Sequence, residues 1–317
     1  MSGEPPPAAA PTPAPAEPRE PNVWWISPVR DEAAHIERVA AGLAAQTTPP
    51  ARWTVVDDGS TDGTAPVLRR LRRELPFLEL LSTPPGHTRA RRDRLAAGGP
   101  DRAWCHGFEH AAPLDWTHVG KLDGDVVLPP DYQATLLERF AADPALGMAS
   151  GALTELHDGE WRLLPTPADQ VAAPCRLFTA ECYAAIGGWP PRLGADVITT
   201  TRARMRGFAT RTFDDLRVRH LRPIATADGT LRGRARHGAY QYVVRYPWWW
   251  VVARSALVAG RFPPRGLSGL AYLGGYVRAA LGPTEPVADP LFAHFMAIET
   301  STRARRAVKG ALRRLAP

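Results

Sequence analysis

ARWTVVDDGSTDGTA, residues 51–65, is the stretch from which the fold can be read. An apolar run, Trp53, Val55 and Val56, stops at two adjacent acids, Asp57 and Asp58. Gly59 to Thr64 then form a polar turn, and Val67, Leu68 and Leu71 recur at helical spacing. The order is buried strand, polar turn, amphipathic helix. GSTDGT lacks the G-K-[ST] ending of a phosphate-cradling loop and carries no dinucleotide fingerprint. Carboxylates at such a strand end have three uses: to cap the turn, to accept hydrogen bonds from a base edge or ribose hydroxyls, or to hold a cation.

The alternation continues on both sides. VWWISPV (23–29) reads as a buried strand, and DEAAHIERVAAGLAAQ (31–46) places Ile36, Val39, Ala40, Leu43 and Ala44 on one helical face. TAPVLRRLRREL is a helix with Pro66 near its first turn, FLELLST a strand, TRARRDRLAAG (88–98) a short helix, and WTHVGKLDGDVV (116–127) a single further strand. Strands alternating with helices of this length predict βαβ crossovers and a mostly parallel sheet, with ligands at the carboxyl ends of the strands. After the helix PPDYQATLLERFAAD the strict alternation is lost. GMASGALTELHDGEWRLLP (147–165) predicts a hairpin turning at Asp158-Gly159, ECYAAIGGWP a short helix, VITTTRARMRGF a helix and ATRTFDDLRVRHL strand.

Composition bounds the rest. Residues 1–21, Pro/Ala-rich and without a periodic apolar face, predict disorder and lack the pattern of a secretory signal, so a cytoplasmic location is expected. Cys105, Cys175 and Cys182 form no CxxC pair and are expected as free thiols. The net charge of +7 is carried almost wholly by arginine, since only Lys121 and Lys309 are lysines. The acids crowd the predicted ligand face and the arginines are scattered, which argues against nucleic acid as a partner. YPWWWVVARSALVAG (246–260) and GLSGLAYLGGYVRAAL (266–281) are strongly apolar but short of the roughly 20 residues that span a bilayer. They predict a helical hairpin that either packs on the rest of the protein or lies in a membrane interface with Trp248, Trp249 and Trp250 at headgroup depth. The Arg-rich segment 301–315 is either a solvated tail or an anionic-lipid contact. The expected organisation is a tail (1–21), an α/β domain (22–235, halves 22–128 and 129–235) and a C-terminal apolar helical region (236–317).

Lys121-Leu122-Asp123-Gly124-Asp125 supplies a second acidic pair. In an extended backbone residues i and i+2 face one way, so Asp123 and Asp125 would approach one hard divalent cation, Mn2+ or Mg2+, shared with a substrate diphosphate.

Taken together and in chain order, these stretches resemble the family 2 glycosyltransferases of the GT-A fold. Pro28-Val29-Arg30-Asp31-Glu32 resembles the family's P-x-x-N-E opening. VVDDGSTDGT is close to its nucleotide-binding signature, GHTRARR (86–92) to the loop that usually ends Ala-Arg-Asn, LDGD to its metal motif, and GGWPPRLGADV (187–197) to the segment carrying the catalytic acid. ARMRGFATR matches the Arg and Gly that follow. The resemblance covers roughly residues 23–222. It implies a Rossmann-like GT-A sheet flanked by helices and an inverting transfer of one sugar from a UDP-, GDP- or dTDP-linked donor to an acceptor hydroxyl. The expected setting is cell-envelope glycan or glycolipid synthesis, with a lipid-linked or small-molecule acceptor. Alternatives are a non-catalytic nucleotide-sugar-binding scaffold and a natural-product glycosyltransferase.

By position, the resemblance implies that Pro28, Arg30, Glu32, Asp57 and Asp58 hold base and ribose, that Arg91 and Lys121 lie near the phosphates, and that Asp123 and Asp125 bind the metal. Asp196 would be the general base and His220 a third metal ligand. The family's frequent Glu-Asp pair is Ala195-Asp196 here, Arg92 replaces its Asn, and Asp31 stands where Asn is common. The Q-x-x-R-W sequence of the polymerising branch is absent, which favours single addition over processive synthesis.

Overall fold

A computed structural model describes residues 20–84, 95–167, 169–222 and 230–315, with side chains to 309. Most of the Pro/Ala-rich segment and the stretch containing Arg91 and Arg92 lie outside the described residues. A curled nine-stranded mixed sheet organises the chain. Its strands are β1 (Val23–Val29), β2 (Arg52–Asp57), β3 (Leu78–Ser82), β4 (His118–Lys121), β5 (Val126–Val127), β6 (Leu146–His157), β7 (Glu160–Leu163), β8 (Leu177–Thr179) and β9 (Ala209–His220). Their order is β3-β2-β1-β4-β8-β6-β9-β5, with β7 paired to β6. The first four strands in this order run parallel, as the alternation predicts. β8 joins them antiparallel, and β9 returns parallel to β6.

β1 lies between β2 and β4, so both its faces are covered and every residue of VWWISPV is buried. Successive side chains serve opposite cores. Trp25 packs with α1 (Ile36–Ala44), α2 (Thr64–Glu74) and α4 (Tyr132–Ala142), whereas Trp24 packs with α3 (Gly99–His110). Burying an indole leaves its N–H to be satisfied. Trp24 donates to Thr54 Oγ1 at 2.9 Å, Trp25 to Gln133 Oε1 at 2.9 Å and Trp53 to Ser27 Oγ at 2.8 Å.

Two features depart from the sequence pattern. The helix on the second face is α3, which begins at Gly99 and was not expected, while the expected helix over 88–98 lies mostly outside the described residues, with 95–98 forming a turn. Its buried face is Ala103, Trp104 and Gly107, not a stripe of aliphatic residues. Gly107 is required by close approach, since a Cβ there would stand 2.6 Å from Val56 Cγ2. Secondly, WTHVGKLDGDVV is not one strand. β4 ends at Lys121, the chain turns through Gly124 and Asp125, and β5 pairs antiparallel with β9 at the sheet's far edge.

Beyond the hairpin of β6 and β7 come α5 (Ala180–Ala185) and α6 (Ala195–Met205), and among the described residues after β9 four helices follow: α7 (Thr230–Val243), α8 (Trp248–Arg261), α9 (Leu267–Leu281) and α10 (Pro290–Leu315). α7 runs across residue 235. α7 and α9 cross in backbone contact, because Cβ atoms at Gly238 or Gly275 would overlap Tyr272 O or Ala235 O. α10 and the end of α7 pack on α6 through Ile198, Val243, Val244, Phe292 and Met296. No described helix is long and apolar enough to cross a membrane. The three cysteines are free.

Candidate active site

The carboxyl ends of β1, β2 and β4 meet at the edge where the strand order reverses direction, β2 and β3 lying to one side of β1 and β4 to the other. Pro28 pairs in register with Val56, and Val29 with Asp57. The acidic turn after β2 is stapled to the loop after β1. Asp57 Oδ1 accepts from Ser60 N at 2.9 Å, and Asp58 N donates to Val29 O at 2.9 Å. Thr83 Oγ1 donates to Asp58 Oδ1 at 2.9 Å, and Arg30 Nη1 to Asp58 O at 3.3 Å. Asp31 adopts φ 56°, a left-handed conformation that Asp and Asn tolerate best among non-glycine residues. There its Oδ1 accepts from Thr61 N at 2.7 Å. Glu32 N donates to Thr64 Oγ1 at 2.8 Å. The acids therefore do hold a turn, and that turn lies at the ligand edge of the sheet.

LDGD presents its acids by a turn rather than by strand alternation, and the two carboxylates have different direct partners. Asp123 accepts from Lys121 Nζ, and its side chain is 30% exposed. Asp125 has its Oδ1 3.6 Å from His220 Nε2 and its Oδ2 3.4 Å from Arg222 Nε. His220 Nδ1 lies 3.1 Å from Glu155 Oε1, where β6 and β9 pair in register. Arg222 also donates to Glu32 Oε1, while Glu32 Oε2 is buried with no partner. Four strand ends, those of β1, β4, β6 and β9, thus contribute to a network of Glu32, Asp123, Asp125, Glu155, His220 and Arg222.

Its titration behaviour follows from crowding. Burial, reinforced by Asp125, pushes Glu32 up to about 7 although Arg222 opposes it. Burial also raises Asp123, against the pull of Lys121. Asp125 is held low despite burial, because His220 and Arg222 favour its charge. Burial disfavours imidazolium at His220, but Asp125 and Glu155 outweigh that and raise it.

Asp196 lies in the first turn of α6, after Gly194 at φ 87°. Arg176, 1% exposed, fixes that turn: its Nη1 donates to Asp196 O at 2.9 Å and to Thr199 Oγ1 at 3.1 Å, and its Nη2 to Val171 O at 2.8 Å. Its own carbonyl accepts from Lys121 N at 3.0 Å. One buried residue therefore ties the end of β4 to the helix that presents Asp196. Asp101, in the first turn of α3, accepts from Trp189 Nε1 at 3.1 Å. Burial pushes its carboxyl up to about 7, with Lys121 opposing and Asp196 and Asp123 adding. It supplies a second acid near Asp196, where Ala195 supplies none.

Sequence reasoning missed Asp101, Glu155, Arg176 and Arg222. Arg222 sits two residues after His220 and could have been flagged; the other three had no motif. Arg91 lies outside the described residues.

The donor set suits a hard divalent cation: carboxylates of Asp123 and Asp125, the His220 imidazole and the unpartnered Glu32 oxygen. Among the described residues, no three His, Cys, Asp or Glu side chains converge closely enough to hold one. The chemistry fits, and the arrangement is not a closed ligand cage.

Residues 24–167 match the family described as Glycosyl transferase family 2, a range that holds Glu32, Asp57, Asp58, Asp123, Asp125 and Glu155 and ends before Asp196 and His220. The succinoglycan biosynthesis protein ExoA of Rhizobium meliloti (strain 1021) is 32% identical over 121 residues, 38% of this chain. The match spans one third of that relative's length. Among solved structures, the mannosyltransferase PcManGT from Pyrobaculum calidifontis, in complex with GDP-Man and Mn2+, aligns over 96% of this chain and 83% of its own, with TM-score 0.52 and 21% identity. S. aureus TarS 1-349 in complex with UDP-GlcNAc aligns over 69% and 65%, with TM-score 0.52 and 15% identity. At these identities the structural likeness establishes a common GT-A fold.

Proposed function

We propose, from the match of residues 24–167 to the family described as Glycosyl transferase family 2, that the chain transfers one sugar, with inversion, from a nucleoside-diphosphate sugar to an acceptor hydroxyl. The observation that carries the reading is the convergence of two acid-tipped strand ends, Asp57-Asp58 and Asp123-Asp125, on one edge of the sheet, with Asp196 held at the same edge by Arg176.

In this reading Pro28, Arg30, Glu32, Asp57 and Asp58 bind the nucleoside, and Arg91 and Lys121 lie near the phosphates. Asp123, Asp125 and His220 would hold Mn2+ or Mg2+, which when bound would supply Lewis-acid stabilisation of the diphosphate charge. Asp196 accepts the proton of the acceptor hydroxyl, whose oxygen forms the new bond to the anomeric carbon. The bond from that carbon to the phosphate oxygen breaks, and a nucleoside diphosphate departs. A carboxylate in this role contributes about 10²- to 10⁴-fold. The complexes of PcManGT with GDP-Man and Mn2+ and of TarS with UDP-GlcNAc support a donor of this class. The ExoA likeness supports a place in cell-envelope glycan synthesis.

The C-terminal helices support peripheral membrane contact at the cytoplasmic face. Trp248 is 69% exposed and Leu281 84%, and Leu257, Leu267 and Leu270 are exposed with them. Trp250, by contrast, stacks on Tyr246. Flotation with anionic liposomes tests this clause: recovery with the vesicles is expected, and a protein left at the bottom of the gradient contradicts it.

The enzymatic reading is tested by nucleoside-diphosphate release from a panel of UDP-, GDP- and dTDP-sugars with Mn2+. Release from one donor class, lost in Asp196→Asn, is expected. Donor binding without turnover in any acceptor mixture would favour a scaffold.

A further inference from the structure

Beyond the donor edge lies a second concavity of about 960 Å³, within the range of small-ligand sites. It is walled by the start of α3, the loop 191–193, the inner faces of α7 and α9, and residues 282–285. Its charge is one-sided: Arg102, Arg192, Arg232, Arg236 and Arg278 line it, against the single acid Glu285. The remaining wall is mostly alanine and glycine, including Ala239, Gly274 and Gly275, so the guanidinium groups define the space. Neither Arg232 nor Arg278 has an ion-pair partner among the described residues, and both are exposed. Arg192 donates to the Glu285 carbonyl, which anchors the loop across the mouth of the groove. Burial lowers the Arg192 pKa, with Glu285 opposing and Arg202 adding, so its charge gains from an anion.

Its position relates it to the chemistry. Arg192 and Leu193 run directly into Gly194 and the turn carrying Asp196. Arg102 follows Asp101 on the first turn of α3. On α7, Ala239 and Arg236 line the groove, while the neighbouring residues His237 and Tyr240 feel the Asp196 charge. The groove wall therefore continues within three residues, Leu193 to Asp196, into the turn that carries the carboxylate proposed to receive the acceptor proton.

We propose that this groove binds a phosphate or diphosphate group of the acceptor, placing the acceptor hydroxyl at Asp196. The inference rests on the glycosyltransferase reading above and names the acceptor's chemical class. Guanidinium groups recognise phosphate oxygens through paired, charge-assisted hydrogen bonds. Two sources share that chemistry, a lipid-linked diphosphate and a soluble sugar phosphate. The exposed apolar residues Leu270, Val277 and Leu281 on α9, the helix that carries Arg278, offer a path for a hydrocarbon chain.

The test is calorimetric titration of inorganic pyrophosphate, farnesyl diphosphate and glucose 1-phosphate in EDTA, which keeps metal-dependent donor binding silent. The full chain is compared with Arg232→Gln/Arg278→Gln and with a control, Arg69→Gln/Arg72→Gln, on the exposed face of α2. Binding of at least one phosphate probe is expected, weakened at least 10-fold by the groove variant and unchanged by the control. Farnesyl diphosphate binding at least 10-fold tighter than pyrophosphate identifies a lipid-linked source; glucose 1-phosphate binding at least as tightly as farnesyl diphosphate identifies a soluble one. No binding of any probe, or equal loss in groove and control variants, overturns the proposal. Titration of UDP and GDP with Mn2+ into the wild type and the groove variant is run alongside. Retained nucleotide binding with no phosphate-probe binding removes the groove proposal alone, whereas loss of nucleotide binding in the wild type removes the donor reading.

Discussion

Glu155 and His220 stand 65 residues apart in the chain and meet at 3.1 Å, Oε1 to Nδ1, where β6 and β9 lie in register. The contact leaves His220 Nε2 facing Asp125. A carboxylate behind an imidazole fixes its ring and raises its basicity. Burial alone would lower the His220 pKa, and the two acids reverse the sign. In Glu155→Gln, an NMR titration should show the His220 pKa falling. Affinity for Mn2+ in the presence of bound nucleotide should fall about 10- to 100-fold. An unmoved His220 titration would show that the contact does not orient the ring.

Arg176 makes a separable prediction about the acceptor side. Asp196→Asn should lower turnover about 10²- to 10⁴-fold with nucleotide binding unchanged. Arg176→Met should also lower turnover, because the α6 turn loses its clamp. It should lower the melting temperature as well, since several buried acceptors lose their donor, at about 1–3 kcal/mol for each group left unsatisfied. Full turnover in Arg176→Met would mean that the clamp does not position Asp196.

Asp101 gives the pH dependence. Its carboxyl is pushed from 3.8 to about 7, mainly by burial. A folded-state pKa above the unfolded one means the native protein holds the proton more tightly. The resulting stabilisation is complete below pH about 4 and is lost as pH rises to about 7. At about 1.36 kcal/mol per unit the loss is on the order of 2–4 kcal/mol. Asp101→Asn, neutral at this position throughout and still able to accept from Trp189, should lose less of its melting temperature across that window than the wild type, since the raised carboxyls of Glu32 and Asp123 remain in both. Parallel curves would contradict the assignment.

Gly120, in β4 just before Lys121, has no room for a side chain. A Cβ would stand 2.3 Å from Trp25 Cζ3 and 2.7 Å from Arg176 O. Gly120→Ala should cost about 1–3 kcal/mol by overpacking and displace the end of β4. Thermal denaturation should show the loss, and a melting temperature equal to the wild type's would contradict the packing described.

What could be read from the sequence depended on how local the determinants were. β1, β2 and α2 were legible because continuous apolar strands and an aliphatic helical stripe are properties of short windows. The carboxylates of VVDDGSTDGT and LDGD were legible as strand-end acids. α3 was not, because its buried face is Ala103, Trp104 and Gly107 and its fit depends on Val56 and Ile26 from other strands. The break between β4 and β5 was missed because Val126 and Val127 continue the apolar pattern while pairing with a strand nearly a hundred residues later. Glu155, Arg176 and Asp101 acquire roles only through tertiary contacts, with His220, Asp196 and Trp189 respectively.

The central claim is that the acidic strand ends form a cation-dependent nucleotide site. Calorimetric titration of UDP, GDP and dTDP with and without Mn2+, into wild type and Asp125→Asn, tests it most directly. The expected result is binding of one nucleotide that requires Mn2+ and is lost in the variant. Absence of binding under every condition, or equal binding by the variant, would contradict it.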